Sequence, residues 1–261
     1  MYRLFVLIMC AFLFLSSKAF AETVTIAADR WCPYNCEPGS EHPGFMIEIA
    51  EKVFAKHNIK VEYLVVPWTR AIEESRQNKY TAIVGAAHKD APDFVFPETA
   101  QGLMRNSFYV KKGDTWKFTN IASLAKISLG VIADYSYNEE LDKYIVKNKK
   151  NSKLIQVISG DGALDTNIKK VVAGRVGAII DAEYVINYTL AQNKMIGKIE
   201  KAGAVPPTKN DNLFVAFSPK NPKAKEYAEM LSKGTDELRK SGQLQKILNF
   251  YNVTDWNKSS K

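Results

Sequence analysis

The sequence predicts an α/β protein of two lobes, and three observations carry that prediction. The stretch Asn167 to Tyr184 (N-I-K-K-V-V-A-G-R-V-G-A-I-I-D-A-E-Y) reads as helix, turn and strand. Ile168, Val171 and Val172 share one helical face. Gly174 is placed to end that helix, because a residue without Cβ takes the left-handed conformation cheaply. Ala178-Ile179-Ile180 is an apolar run without polar alternation, as in a buried parallel strand. The second observation is that Arg70 to His88 repeats this unit about a hundred residues earlier, too far apart for a solenoid. The third is that helix-like and strand-like segments alternate along the chain at βαβ spacing. Two such units are read as two lobes whose strand ends face one another across a cleft.

Taken in order, Met1 to Ala21 carries Arg3, an apolar run from Leu4 to Leu15, and Ala19-Phe20-Ala21. A positive start, a short apolar core and an A-x-A ending make a secretory signal peptide. The run is short for a transmembrane helix. Cys10 follows Ile8-Met9 rather than the small residues of a lipoprotein cleavage site. The mature chain is expected to begin near Glu22 and to be a soluble periplasmic protein. The formal net charge of +8 falls by two when Arg3 and Lys18 are removed. The remaining lysines are scattered over polar faces, so basicity informs on solubility and encounter, and no nucleic-acid partner is expected.

Thr23 to Ala28 alternates like a strand, and Phe45 to His57 is an amphipathic helix opened by Gly44. Val61 to Val66 is the next strand, and Pro67-Trp68-Thr69-Arg70 starts the following helix. That helix leads into the strand Ala82-Ile83-Val84, which ends on Gly85-Ala86-Ala87. Leu103 to Lys111 is expected to cross to the second lobe. Leu129 to Ile132 opens that lobe's sheet, with Asp134-Tyr135-Ser136-Tyr137 at a helix start, and Lys153 to Ile158 follows. Asn212 to Ser218 is the return crossing, and helices from Asn221 to about Tyr251 pack on the first lobe. The expected division is therefore 22–108 with 212–261 as the first lobe and 109–211 as the second.

Cys32 and Cys36, in W-C-P-Y-N-C, are the two cysteines of the mature chain. An oxidising compartment favours a disulfide between them, and Pro33-Tyr34-Asn35 is turn-compatible. Free thiols are the next reading, and a metal site the last, since further ligands at motif spacing are lacking nearby.

Asp181 halts the strand Ala178 to Ile180, and ligands of open α/β sheets bind beyond the carboxyl ends of strands. The bland alternative is a solvated acid opening a loop. Gly85 and Ala86 end the first lobe's strand with small residues that let a ligand approach the backbone. Trp31 and Trp68 follow strands beside prolines, which favours the cleft over the core.

The ordered set of segments resembles the family 3 periplasmic solute-binding proteins, the polar amino acid group. The carrying pieces are W-C-P-Y before G-F-M-I-E-I-A-E, then P-W-T-R-A and A-I-V-G-A. In the second half they are L-G-V-I-A-D-Y-S-Y, A-G-R-V-G-A-I-I-D and N-L-F-V-A-F-S-P-K. The resemblance spans nearly all of the mature chain. It implies a periplasmic-binding-protein-like fold, each lobe a mostly parallel sheet flanked by helices, joined by two hinge strands. It implies that Trp31, Tyr34 and Trp68 sandwich the ligand, and that Asp181 receives an α-ammonium group. Ser136 and Tyr137, at a helix start, are implied to help hold a carboxylate, which free backbone N–H groups make physically sensible.

One departure stands out. The family's usual loop arginine, a bidentate clamp for the α-carboxylate, is missing from H-K-D-A-P-D-F-V-F-P. Arg70 is the first-choice replacement, Arg105 the second, with His88 and Lys89 as further contributors. Otherwise the ligand is not an ordinary α-amino acid.

The leading expectation is a monomeric, cofactor-free periplasmic protein that captures a polar amino acid or related solute, for an inner-membrane permease of the ABC type. The alternative is a dehydratase-like enzyme on the same scaffold, with Asp181, His88, Glu98 or Asp161 as acid and base. A soluble ligand-sensing partner of a membrane receptor is the third reading.

Overall fold

The computed structural model describes residues 22–258 except Asp134, Asp161, Pro207, Lys209 and Asn210. The expected signal peptide and Asp161 lie outside the described residues. In chain order the elements are β1 (Glu22–Ala28), α1 (Phe45–Ala55), β2 (Ile59–Val65), α2 (Trp68–Arg76), β3 (Ala82–Ala86), β4 (Gly102–Leu103) and β5 (Asn106–Lys111). There follow a 3₁₀ turn (Ile121–Lys126), β6 (Leu129–Ile132), α3 (Glu139–Asn148), β7 (Ile155–Ile158), α4 (Ala163–Val172), β8 (Ala178–Ala182) and α5 (Glu183–Gln192). The chain closes with β9 (Ile199–Ala204), β10 (Asn212–Phe217), α6 (Ala224–Lys240) and α7 (Gln243–Phe250).

Two five-stranded sheets form, in the orders β2-β1-β3-β10-β4 and β7-β6-β8-β5-β9. They have the same plan: four strands run one way, and one, β10 in the first sheet and β5 in the second, runs against them. The sheets are thus mostly parallel, as expected, and the one reversed strand in each is the strand that enters from the other lobe. Period-two alternation covers both faces of each sheet. In the first, Val24, Ile26, Val84, Val215 and Phe217 face α1, α6 and α7, while Ala27, Ile83 and Ala216 face the α2 side. In the second, Phe108, Val110 and Ile180 face one core, and Tyr109 and Ile179 face the other, with α4 and α5.

The chain crosses between lobes at Met104-Arg105 and again between Val205 and Asp211. The expected division after Phe108 therefore moves upstream: Phe108 pairs with Ile180 in β8 and its ring is buried in the second lobe's core. Asn138, just after the expected Ser136-Tyr137, caps α3, its side chain accepting from Leu141 N at 2.8 Å. Gly174 has φ 71°, the left-handed stop expected after α4.

Candidate functional site

The segment between β1 and α1 is folded onto the helix it precedes. Cys32 and Cys36 are joined by a disulfide, and the Cys32–Pro33 peptide is cis. The first-turn N–H groups of a helix have no partner within it. Here Phe45 N donates to Pro33 O at 3.0 Å and Met46 N to Tyr34 O at 3.0 Å. The 31–36 loop therefore caps α1, which fixes where Trp31 and Asn35 stand. Trp31 lies stacked on Tyr34, ring centroids 4.3 Å apart.

A cavity of about 80 Å³ opens between the lobes beside this loop. From the first lobe Asp29, Trp31, Asn35, Trp68, Gly85, Lys89 and Asp90 line it; from the second, Tyr135 and Ser136. Gly85 has φ 83°, and a Cβ there would lie 3.5 Å from the Trp31 ring. Two contacts cross the cleft. Lys89 Nζ donates to Ser136 Oγ at 2.6 Å, and the Tyr135 hydroxyl bonds to Asp29.

Asp181 lies within β8, opposite Ser107 of β5, rather than just past the strand's end. It is 2 % exposed. Its Oδ1 accepts from Ala182 N at 2.7 Å, whereas Oδ2 is buried without a hydrogen-bond partner. Burial lifts its pKa to about 7, and Asp29 adds to the rise. The Ala182 N–H and the Trp31 indole pull the other way. The indole is close enough to favour the carboxylate, but Trp31 Nε1 and Asp181 Oδ2 do not meet at hydrogen-bonding geometry, so both are left unpartnered.

Asn35 supplies a third unpartnered atom. Its Nδ2 donates to Asp29 O at 2.5 Å and to Tyr63 Oη at 2.9 Å. Because a carbonyl only accepts, the amide orientation is fixed, and Oδ1 is left buried with no partner at the cavity wall. Sequence reasoning missed Asn35, Asp29 and Tyr135. Asn35 was legible only as a turn residue, and the other two act only when the lobes meet.

Of the expected site residues, Asp181 is buried off the wall within reach of the Trp31 indole, whereas Trp31, Trp68, Gly85 and Ser136 line the cavity. Tyr34 does not: it is fully buried beneath Trp31, its hydroxyl donating to Leu103 O at 2.8 Å. Tyr137 is buried in the second lobe's core, where its hydroxyl accepts from Ile132 N at 3.0 Å. Ala86 is buried on the α2 side of β3. His88 is stacked on Phe96 with centroids 4.2 Å apart, off the wall. Arg70 is exposed on α2, with Glu74 and Lys79 as charged neighbours, and does not reach the cavity. Arg105 sits in the crossing segment, within electrostatic reach of Tyr34 and likewise off the wall. Among the described residues lining the cavity, Lys89 is the one cation.

Solved structures share this architecture at low identity. An ancestral arginine-binding protein bound to arginine is 18 % identical, with a TM-score of 0.65 over 89 % of this chain and 99 % of that one. A protein from work on glutathione import through GshT and the cystine importer TcyBC of Streptococcus mutans gives 18 % and 0.71 over 88 % and 94 %. A histidine kinase sensor domain similar to periplasmic binding proteins gives 16 % and 0.66 over 88 % and 95 %. These likenesses establish the fold. No curated protein matches the sequence. The family model for bacterial extracellular solute-binding proteins, family 3, matches residues 24–254, nearly the whole described chain, and the protein belongs to that family.

Proposed function

We propose that this protein captures a small polar, amino-acid-like solute in the cleft between its lobes, in the periplasm, and delivers it to an inner-membrane permease of the ABC type. The observation that carries this reading is Asp181: a buried acid with one unpartnered oxygen, beside Trp31, at the meeting of two lobes. A buried polar atom without a partner is costly unless something supplies one. A captured solute would do so. Similar structures bound to arginine or glutamine, and one from work on glutathione import, support small polar cargo.

The near-neutral Asp181 also suits an acid–base catalyst, which keeps the dehydratase-like reading in second place. That reading needs a second titrating group at the cavity. His88 stacks on Phe96 and Glu98 is exposed away from the wall, so neither is placed for it; the titrating groups on the wall are Asp29, Asp90, Lys89 and Tyr135.

A thermal-shift screen of the mature protein against amino acids and small polar metabolites tests capture. A solute that binds only the folded state, at 100 times its dissociation constant, adds about 2.7 kcal/mol of stability. Turnover of a hit, seen as loss of substrate by mass spectrometry, would favour the enzyme.

A further inference from the structure

The polar atoms at the cleft do not match a zwitterion. An α-amino acid presents an ammonium, which only donates hydrogen bonds, and a carboxylate, which only accepts them. The cleft offers acceptors in excess. Asn35 Oδ1 is buried and unpartnered on the cavity wall, where the carboxylates of Asp29 and Asp90 also stand. Asp181 Oδ2, likewise buried and unpartnered, lies off that wall beside Trp31, whose Nε1 is the one unpartnered buried donor among the described wall residues. Asn35 is 1 % exposed and its orientation is locked by the two bonds of Nδ2, so Oδ1 is presented to the wall as an acceptor.

Cations are scarce by comparison. Lys89 Nζ is already bonded to Ser136 Oγ, whose hydroxyl donates to Asp142 Oδ2 at 2.6 Å. Asp90, next in sequence, also feels the Lys89 charge. Lys89 is thus committed to the far lobe through the Ser136 hydroxyl, with the Asp90 charge beside it, and it is exposed. Arg70 and Arg105 lie off the wall. A ligand carboxylate brought into this cavity would meet Asp29 and Asp90 without a guanidinium to pair it, and a buried unpaired charge is expensive.

We propose that the cleft recognises a small primary or secondary ammonium that carries no carboxylate. Such a group donates N–H bonds to Asn35 Oδ1 on the cavity wall, and Asp181 acts on it through charge from behind that wall. Its charge is balanced by Asp181 and Asp29, and the aromatic rings of Trp31, Trp68 and Tyr135 add cation–π attraction. The size agrees: about 80 Å³ is far below the roughly 300–1,000 Å³ of pockets for drug-sized ligands. This inference rests on the capture reading above and narrows its ligand class.

Matched triplets separate the possibilities. Each consists of an amino acid, its decarboxylated amine and its deaminated acid: alanine, ethylamine and propionate; leucine, 3-methylbutylamine and 4-methylpentanoate; phenylalanine, phenethylamine and 3-phenylpropionate. All are titrated calorimetrically into the mature protein at pH 8. The expected result is that at least one amine binds about 30-fold or more tighter than its amino acid, with its acid silent; that ratio equals about 2 kcal/mol at 1.4 kcal/mol per tenfold. Asp181→Asn, which keeps shape and loses charge, should weaken the amine by a similar factor while the variant still melts cooperatively. An amino acid or acid that binds as tightly as its amine overturns the ammonium inference and leaves solute capture standing. Silence across all nine compounds overturns the inference; silence extended to the broad metabolite screen overturns capture itself.

Discussion

Lys89 Nζ and Ser136 Oγ are 2.6 Å apart, a direct bond from the loop after β3 of the first lobe to the loop after β6 of the second. Ser136 passes the contact on to Asp142 of α3. Together with the Tyr135–Asp29 bond it joins the two lobes beside the cavity. At the crossing side, Tyr184 packs edge-on to Tyr34 and bonds to Thr254 Oγ1 at 2.8 Å. Among the described residues, polar bonds thus join the lobes both beside the cavity and at the crossing side.

Lys89→Ala should shift the protein toward an open state. A hydrogen bond to a charged group at an exposed site contributes about 1 kcal/mol net, so apparent ligand affinity should drop roughly three- to tenfold. Small-angle scattering of the variant without ligand should give a larger radius of gyration than wild type, restored at saturating ligand. An identical radius in both proteins, with unchanged affinity, would remove this bond from the closure mechanism.

Asp181 should make the unliganded protein less stable as pH rises. Its folded pKa of about 7 lies above the ordinary 3.8. The folded chain therefore holds a proton that the unfolded chain releases, and stability declines between about pH 4 and pH 7. The full difference is on the order of 4 kcal/mol at about 1.4 kcal/mol per pH unit. Asp181→Asn removes that loss, so it should raise the melting temperature at pH 8 and change it little at pH 4. A variant less stable than wild type at pH 8 would mean that the carboxylate is stabilised by its surroundings, against its burial.

How far the site was legible follows from what each residue depends on. The lobes and most elements were readable because helical and strand periodicity are local, as in α1, α4 and β3. Asp181 was readable as an acid beside an apolar strand, although it sits inside β8. Arg70 was misplaced because nearness in sequence to Trp68 is not nearness in a helix. Two residues at 3.6 per turn are about 200° apart, so with Trp68 at the cavity Arg70 points away. Tyr34 and Trp31 looked equivalent in W-C-P-Y, yet the turn stacks one behind the other. Asn35, Asp29 and Tyr135 depend on chain brought from another lobe or a locked amide, and no local pattern encodes either.

The Cys32–Cys36 bridge should act on binding more than on folding. A loop closed across a sequence separation of 4 contributes about 2 kcal/mol in the chain-entropy model at most. Its other effect is to hold the loop that carries Trp31 and Asn35. Protein recovered under non-reducing conditions should show both thiols blocked to alkylation until reduced. The Cys32→Ser, Cys36→Ser double variant should lose more in ligand affinity than in melting temperature; the reverse ranking would make the bridge a stability device.

Gly44→Ala tests the docking of that loop on α1. Gly44 has φ 107°, and an added Cβ would fall 2.4 Å from Asn35 Cα and 2.5 Å from Tyr34 O. Backbone, not a flexible side chain, is in the way, so strain and overpacking together should cost about 2–4 kcal/mol. Urea unfolding reads it directly. A loss below about 0.5 kcal/mol, the usual range for surface changes, would mean that the 31–36 loop can lift from the helix.

Ligand binding should itself depend on pH, through Asp181. The groups that face it are Asp29 after β1, the Trp31 indole, and the tyrosines Tyr34, Tyr135 and Tyr137. Burial and the nearby carboxylates push all three tyrosine hydroxyls upward, so they stay neutral through the physiological range. Arg105 and Glu183 act on Tyr34 with opposite signs. Asp181, with its pKa near 7, is then the group that changes charge. An ammonium ligand, whose own pKa is about 10, binds the ionised carboxylate and holds it ionised. Below pH 7 each binding event must expel a proton, so affinity should fall close to tenfold per pH unit. Above pH 7 it should level off. Calorimetry from pH 5 to pH 8.5 at fixed ionic strength, repeated in buffers of different ionisation enthalpy, should find nearly one proton released per ligand at pH 5.5. Release should approach zero at pH 8.5, and Asp181→Asn should abolish both the slope and the release. An amine whose affinity is flat across this range in the wild-type protein would place its ammonium away from Asp181.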